Sequence, residues 1–224
     1  MFHVKICGVT TTADARAAVE AGADAIGLNF VEGSPRKLHA SHALNVSKAL
    51  PVGVVRVGVF ADCSSEEILR IVRSVGLDAV QLHGNEPPEI LDAFARAAVP
   101  VIRSARLSQG PDPLEEIRQW IKRASRAGVQ PAMVLVDATV SGQLGGTGTT
   151  VDWKRLSQAA SLDIPIVLAG GLSPVNVEQA IRCVRPFGVD VASGVEISPG
   201  QKDKALMQAF VLTARMALGV FEGH

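Results

Sequence analysis

Cys7 and Asp137 are the residues best placed to do chemistry in this sequence. Cys7 ends a short apolar run, Val4-Lys5-Ile6-Cys7-Gly8, which gives way through Thr10, Thr11 and Thr12 to an Ala-rich helical stretch. Asp137 ends another run, after Met133-Val134-Leu135-Val136. A thiol at a strand end is a candidate reactive thiolate, and a carboxyl in apolar surroundings a candidate working acid. Side chains two apart on a strand share a face. Lys5 therefore points the same way as Cys7, and a neighbouring ammonium is expected to favour the thiolate. The plain alternatives are an inert cysteine packed as a small hydrophobe and an aspartate that caps the loop after its strand. An unpaired carboxylate is costly to bury, so Asp137 must have some such use.

Several further groups fall at strand ends. Ser34-Pro35-Arg36 follows the second apolar run, and Arg36 offers a planar fork for a carboxylate or phosphate. Gln81 and His83 alternate with Val80 and Leu82, so the two polar side chains share one face and either touch a ligand or pair with each other. Gly170-Gly171 follow the seventh run, and Ser193-Gly194 follow the eighth. Glycine turns in those two loops are a recurrent phosphate cradle, where bare amide groups face the anion. Between residues 141 and 148 lie Gly142, Gly145, Gly146 and Gly148, which read as a linker or as a lid over a site. No second ligand stands near His83 at a fitting spacing, so a metal is not expected. His3, His39, His42 and His224 carry no motif, and Trp153 is expected to pack at a helix start.

Eight short apolar runs would have to position these groups: Val4–Gly8, Asp24–Phe30, Val54–Phe60, Ala79–His83, Val99–Ser104, Ala132–Asp137, Pro165–Ala169 and Val189–Ser193. Runs rich in Val and Ile suit parallel strands buried on both faces. Between them lie helical stripes: Ile68, Ile71, Val72 and Val75; Leu114, Ile117, Ile121 and Ala124; Val177, Ala180, Ile181 and Val184. Ser64 with Glu67 reads as a capping box, and Pro87-Pro88 and Pro113 sit near helix starts. Residues 203–218 close the chain as a helix. Such alternation predicts an α/β protein, a single (β/α)8 TIM barrel over residues 1–224, with a doubly wound open sheet as the alternative.

Composition narrows the partners. Lys and Arg number 22 and so do Asp and Glu, which argues against nucleic acid or an anionic membrane, since both demand a basic excess. No apolar run is long enough to span a bilayer, and no signal peptide is evident. Cys7, Cys63 and Cys183 stand far apart with no CxxC pair, which fits a reducing cytoplasm. Cys63 and Cys183 are expected to be structural. Nothing in the sequence decides between monomer and homodimer.

KICG at 5–8, SPR at 34–36, GVF at 58–60, QLHG at 81–84, GGTG at 145–148, AGGL at 169–172 and SGVE at 193–196 follow one another along the chain. Their order and their placement at successive strand ends resemble the phosphoribosylanthranilate isomerase family of tryptophan biosynthesis, over nearly the whole chain. The resemblance implies a cofactor-free Amadori rearrangement of a small phosphorylated sugar–anthranilate substrate. By the same resemblance Cys7 is the general base, Asp137 the general acid and Arg36 the holder of the anthranilate end. Gly170, Gly171, Ser193 and Gly194 form the phosphate cradle, and Gln81 and His83 line the site. Ala192 stands where the family often has Ser, and Thr149 where Lys is frequent. The nearest rival is the histidine-pathway phosphoribosyl isomerase, which uses two aspartates and has two similar halves. Cys7 and the lack of a Gly-Gly turn in the first half count against it. A non-catalytic phosphate-binding barrel is the other alternative, because a fold does not fix a function.

Overall fold

The structure is a computed structural model that describes residues 1–108, 110–138, 153–159 and 161–220. Strand and helix alternate: β1 (Val4–Cys7), α1 (Thr12–Glu20), β2 (Ala25–Asn29), α2 (Ala40–Lys48), β3 (Val55–Phe60), α3 (Ser65–Val75), β4 (Ala79–Leu82) and α4 (Leu91–Arg96). The second half continues with β5 (Val101–Arg106), α5 (Glu115–Arg126), β6 (Met133–Asp137), α6 (Trp153–Gln158), β7 (Ile166–Ala169), α7 (Val177–Val184) and β8 (Gly188–Val191). A hairpin follows, β9 (Glu196–Ser198) with β10 (Gln201–Lys202), and then α8 (Lys204–Leu218).

Strands β1 to β8 pair in parallel, in chain order, and β8 returns to β1. The ring is closed, so the expected barrel is correct and the open sheet is not. No helix among the described residues is long and apolar enough to cross a membrane.

Period-two alternation divides the strands into two layers. On β6, Val134 and Val136 belong to the apolar layer between strands and helices, while Met133 and Leu135 pack inside the ring. Asp137 is next in the inward series. On β1, Val4 and Ile6 face the helices, which turns Lys5 and Cys7 inward. On β4, Val80 and Leu82 face the helices and Ala79 packs inside, so Gln81 points into the ring. The lower interior is apolar, with Phe2, Ala25, Val57 and Ile102 fully packed. Polar side chains take over toward the carboxyl ends of the strands, where barrels carry their sites.

The helices start and stop on local signals. The Ser64 hydroxyl accepts from the Glu67 amide at 3.2 Å, and α3 ends on Gly76 in the left-handed region at φ 73°. Asp203 caps α8 through the Leu206 amide at 2.9 Å. The apolar stripes of α3 and α7 are buried as expected through Ile68, Val72 and Val75, and through Val177, Ala180 and Ile181.

The first strand breaks at Gly8 as expected, with φ +71° and the amide handed to Gly27 O at 2.9 Å. Three details differ from expectation. The fifth strand is shifted to Val101–Arg106, because the Val99 amide is tied back to Phe94 O and Pro100 has no amide proton. The eighth strand stops at Val191, and Ser193–Val195 wind into a 3-10 turn. Cys183 is exposed on α7, whereas a structural cysteine was expected there. It lies off the buried stripe of Val177, Ala180 and Ile181.

Candidate active site

A cavity of about 390 Å³ opens at the carboxyl ends of the strands. Cys7, Arg36, Gln81, His83, Asp137, Gly170, Gly171 and Ser193 all line it, with Asn29 and Asp190. Groups expected from six separate strand ends thus meet in one space. Going round the ring, β7 and β8 lie between β6 and β1. Asp137 and Cys7 therefore flank the sector that carries the two glycine turns.

Cys7 is buried, 9% exposed. Its strand partner is Gly27, where a Cβ would stand 2.8 Å from the sulfur and 3.1 Å from Lys5 Cε. A side chain at Gly27 would fill the space that the thiol and the lysine occupy. Lys5 is fully buried and donates to Asp190 Oδ1 at 2.8 Å. Burial works against its ammonium, but the Asp190 carboxylate and then Cys7 together outweigh that and raise its pKa. Burial pushes the Cys7 thiol up. Lys5 and Lys202 pull it down and Asp190 adds to the rise. The sequence-based expectation was that Lys5 would tip Cys7 toward thiolate. Its pull has the expected sign but is outweighed, since the site is dry and the lysine's charge is balanced by Asp190.

Asp137 belongs both to this cavity and to a neighbouring one of about 450 Å³, which it shares with His83, Arg106 and Trp120. His83 stands just beyond β4 and is exposed at the mouth. Loss of solvent around its ring lowers its pKa, against the opposing pull of Asp137. The imidazole is therefore neutral at pH 7, a donor on one nitrogen and an acceptor on the other. Gln81 is buried, and its Nε2 donates to the Ser104 hydroxyl at 3.0 Å. Its Oε1 has no partner among the described residues. An unpaired buried carboxamide oxygen at a cavity wall is an acceptor held ready for a ligand.

The glycine turns are shaped by backbone that other residues adopt with difficulty. Gly170 and Gly171 have φ +87° and +62°. Their amides donate no backbone hydrogen bond among the described residues. Asn176 braces the turn, accepting from the Ser173 amide at 2.8 Å and donating to Gly171 O at 2.9 Å. Gly194 lies behind Ser193, outside the lining itself. A Cβ on it would stand 1.8 Å from Leu172 O. The two turns thus pack backbone to backbone, with no side chain free to swing aside. Gly194→Ala is expected to force them apart. Overpacking of this kind costs about 1–3 kcal/mol. Denaturant melts should register that loss, and titration with inorganic phosphate should weaken at the same time. An unchanged phosphate affinity would separate Gly194 from the cradle.

Arg36 reaches the cavity past Gly8 and is held by Glu196, its Nε at 2.8 Å and its Nη2 at 2.6 Å from the carboxylate oxygens. Nη1 has no partner among the described residues and is available to a ligand. Lys202 Nζ joins the same carboxylate at 2.7 Å. Burial works against the Glu196 carboxylate, yet the hydrogen bonds from Arg36 and Lys202 overcome it and keep its pKa low. Burial lowers the Lys202 pKa in turn.

Sequence reading did not single out Asn29, Ser104, Asp190 or Lys202. Asp190 alone had a signal, a lone carboxylate inside the apolar run Val189-Asp190-Val191. Glu196 appears in the sequence only as the last residue of the SGVE motif at 193–196, with no sign that it pairs with Arg36. The glycine-rich stretch at 142–148 and Thr149 lie outside the described residues.

The family model described as N-(5′-phosphoribosyl)anthranilate (PRA) isomerase matches residues 4–213. The N-(5′-phosphoribosyl)anthranilate isomerase of Myxococcus xanthus (strain DK1622) is 43% identical over 213 residues, 95% of this chain and 96% of that one. The crystal structure of phosphoribosyl anthranilate isomerase from Thermotoga maritima superposes with TM-score 0.78 at 38% identity, over 96% of this chain and 100% of the other. A crystal structure of the isomerase in complex with reduced 1-(o-carboxyphenylamino)-1-deoxyribulose 5-phosphate superposes with TM-score 0.75 at 37% identity, with the same coverage.

Proposed function

The chain belongs to the N-(5′-phosphoribosyl)anthranilate isomerase family, aldose–ketose isomerases of tryptophan biosynthesis, and from that premise we propose that Cys7 is the general base and Asp137 the general acid. The observation that carries the assignment is their shared cavity, with the two glycine turns between them. The substrate's 5-phosphate sits on the amides of Gly170, Gly171 and Ser193, where backbone dipoles attract an anion without a lysine. Arg36 takes the anthranilate carboxylate on its open Nη1.

The chemistry then runs in two proton transfers. Asp137 gives a proton to the furanose ring oxygen. The bond from that oxygen to C1 breaks, and the anthranilate nitrogen donates its lone pair to form an iminium. Cys7 thiolate removes the proton on C2. The electrons of that bond form a C1=C2 double bond, and the nitrogen recovers its lone pair. The enolamine tautomerises, its C2 hydroxyl losing a proton and C1 gaining one, to leave the ketose. The iminium is the electron sink, so the residues in the cavity are chemically sufficient. Gln81 Oε1, unpartnered among the described residues, and neutral His83 line the same cavity and take the ribose hydroxyls. In the cytoplasm the chain would meet this substrate as a diffusing small molecule.

Turnover, followed as loss of the substrate's anthranilate fluorescence, tests the assignment directly. Arg36→Met is expected to lower kcat/KM by about tenfold or more, mainly through KM, because a charge-assisted hydrogen bond to the substrate is lost. An unchanged kcat/KM removes Arg36 from the binding site. The rival reading, with histidine-pathway chemistry, would need two aspartates as acid and base, and the thiol at position 7 speaks against it.

A further inference from the structure

We propose that Glu196 is a positioning residue that fixes the distance between the two ends of the substrate, an inference that rests on the reading of Arg36 as the carboxylate holder. Glu196 directly follows the Ser193–Val195 turn. Its side chain is only 4% exposed, and both carboxylate oxygens are engaged by the Arg36 fork. A bidentate pair fixes the plane of a guanidinium as well as its place. Lys202, whose side chain is fully buried, shares that carboxylate and also donates to Ala192 O at 3.0 Å. Ala192 is the residue before Ser193. One unbroken series of charge-assisted contacts thus runs from the phosphate turn through Lys202 and Glu196 to Arg36.

The surroundings hold that series in place. A Cβ on Gly8 would stand 2.3 Å from Arg36 Cδ, so the arginine stem lies directly on bare backbone. The tip of the β9–β10 hairpin is tied to the first loop by Thr10 Oγ1, which donates to Gly200 O at 2.6 Å. Desolvating three charges brings little net stability compared with apolar packing. What the arrangement does supply is a fixed geometry, and a surplus positive charge beside an anion site. With Arg36 held on one edge, its Nη1 stands at a set span from the amides of Ser193 and its neighbours.

The test uses the full chain and two probes, reduced 1-(o-carboxyphenylamino)-1-deoxyribulose 5-phosphate and the same compound without the ring carboxyl, titrated by calorimetry. The native chain should prefer the carboxylate probe, and Arg36→Met should abolish that preference. Glu196→Gln is expected to cut the preference by about tenfold, the scale of a lost hydrogen bond to a charged group. Affinity for the carboxyl-free probe should hold within about twofold, and adding Glu196→Gln to Arg36→Met should change nothing further, as for residues that act through one another. If Arg36→Met abolishes the preference but Glu196→Gln keeps it, the positioning role is overturned and the reading of Arg36 stands. Equal weakening of both probes also overturns it, because a merely structural pair would do that. If Arg36→Met keeps the preference, the Arg36 reading itself fails and takes this one with it. Should Glu196→Gln not give a cooperative melt, the charge-balanced pair Glu196→Gln/Lys202→Met is titrated against the same criteria.

Discussion

Cys7→Ala is expected to lower kcat by at least about a hundredfold, the usual scale for removing a general base. The methyl of alanine fits the space beside Gly27, so the melt should barely move. Loss of rate without loss of fold separates a base from a packed cysteine. The pH dependence of the native enzyme carries the second half of this prediction. In the proposed mechanism the thiolate is the active form, and burial pushes the Cys7 thiol up. At neutral pH the ionised fraction is therefore below the few per cent of an ordinary cysteine. Activity set by that fraction rises as pH rises, about tenfold per pH unit well below the pKa. It levels only above the ordinary thiol range. A kcat/KM profile flat from pH 6 upward would mean that some other group takes the C2 proton. Bound substrate also brings a phosphate and a carboxylate near the site, and both anions oppose ionisation of the thiol. Lys5 and Lys202 are the cations that pull the other way.

Much of this site was legible because barrel geometry turns strand ends into a shared floor. Alternation along Met133–Asp137 and Val4–Cys7 was enough to aim Asp137 and Cys7 inward, and that depends only on the period of a strand. The glycine turns were readable for a similar reason, since left-handed backbone at Gly170 and Gly171 leaves a mark in composition. The balance of forces on Cys7 was not readable. It depends on Asp190, which lies 183 residues away in sequence and reaches Lys5 only when β8 closes onto β1. A local pattern reports the lysine and cannot report its counter-charge. The Arg36–Glu196–Lys202 group was hidden likewise, because it joins the loop after β2 to a hairpin whose strands of three and two residues are too short to show a period. Gln81 and Ser104 pair across neighbouring strands, and a serine between Arg103 and Ala105 gives no hint of which amide it will meet.

Asp137→Asn should also cost at least about a hundredfold in kcat, but at an earlier step. The amide keeps the size of the carboxyl and cannot give up a proton to the ring oxygen at useful rate. The furanose then stays closed, no iminium forms and the C2 hydrogen is never made acidic. Cys7→Ala stops the reaction later, after the ring has opened. The two variants are thus equally slow to make ketose and differ in what they still do to the substrate. Ring opening and reclosure scrambles configuration at C1, so Cys7→Ala should interconvert the substrate's anomers faster than buffer alone, as read by NMR. Asp137→Asn should not. Neither should wash deuterium into C2 from heavy water, the first because its base is gone and the second because its electron sink never appears. Deuterium entering C2 in Asp137→Asn would show the sink forming without this carboxyl, and the acid would have to be sought elsewhere on the cavity wall, with His83 at the mouth the first group to replace.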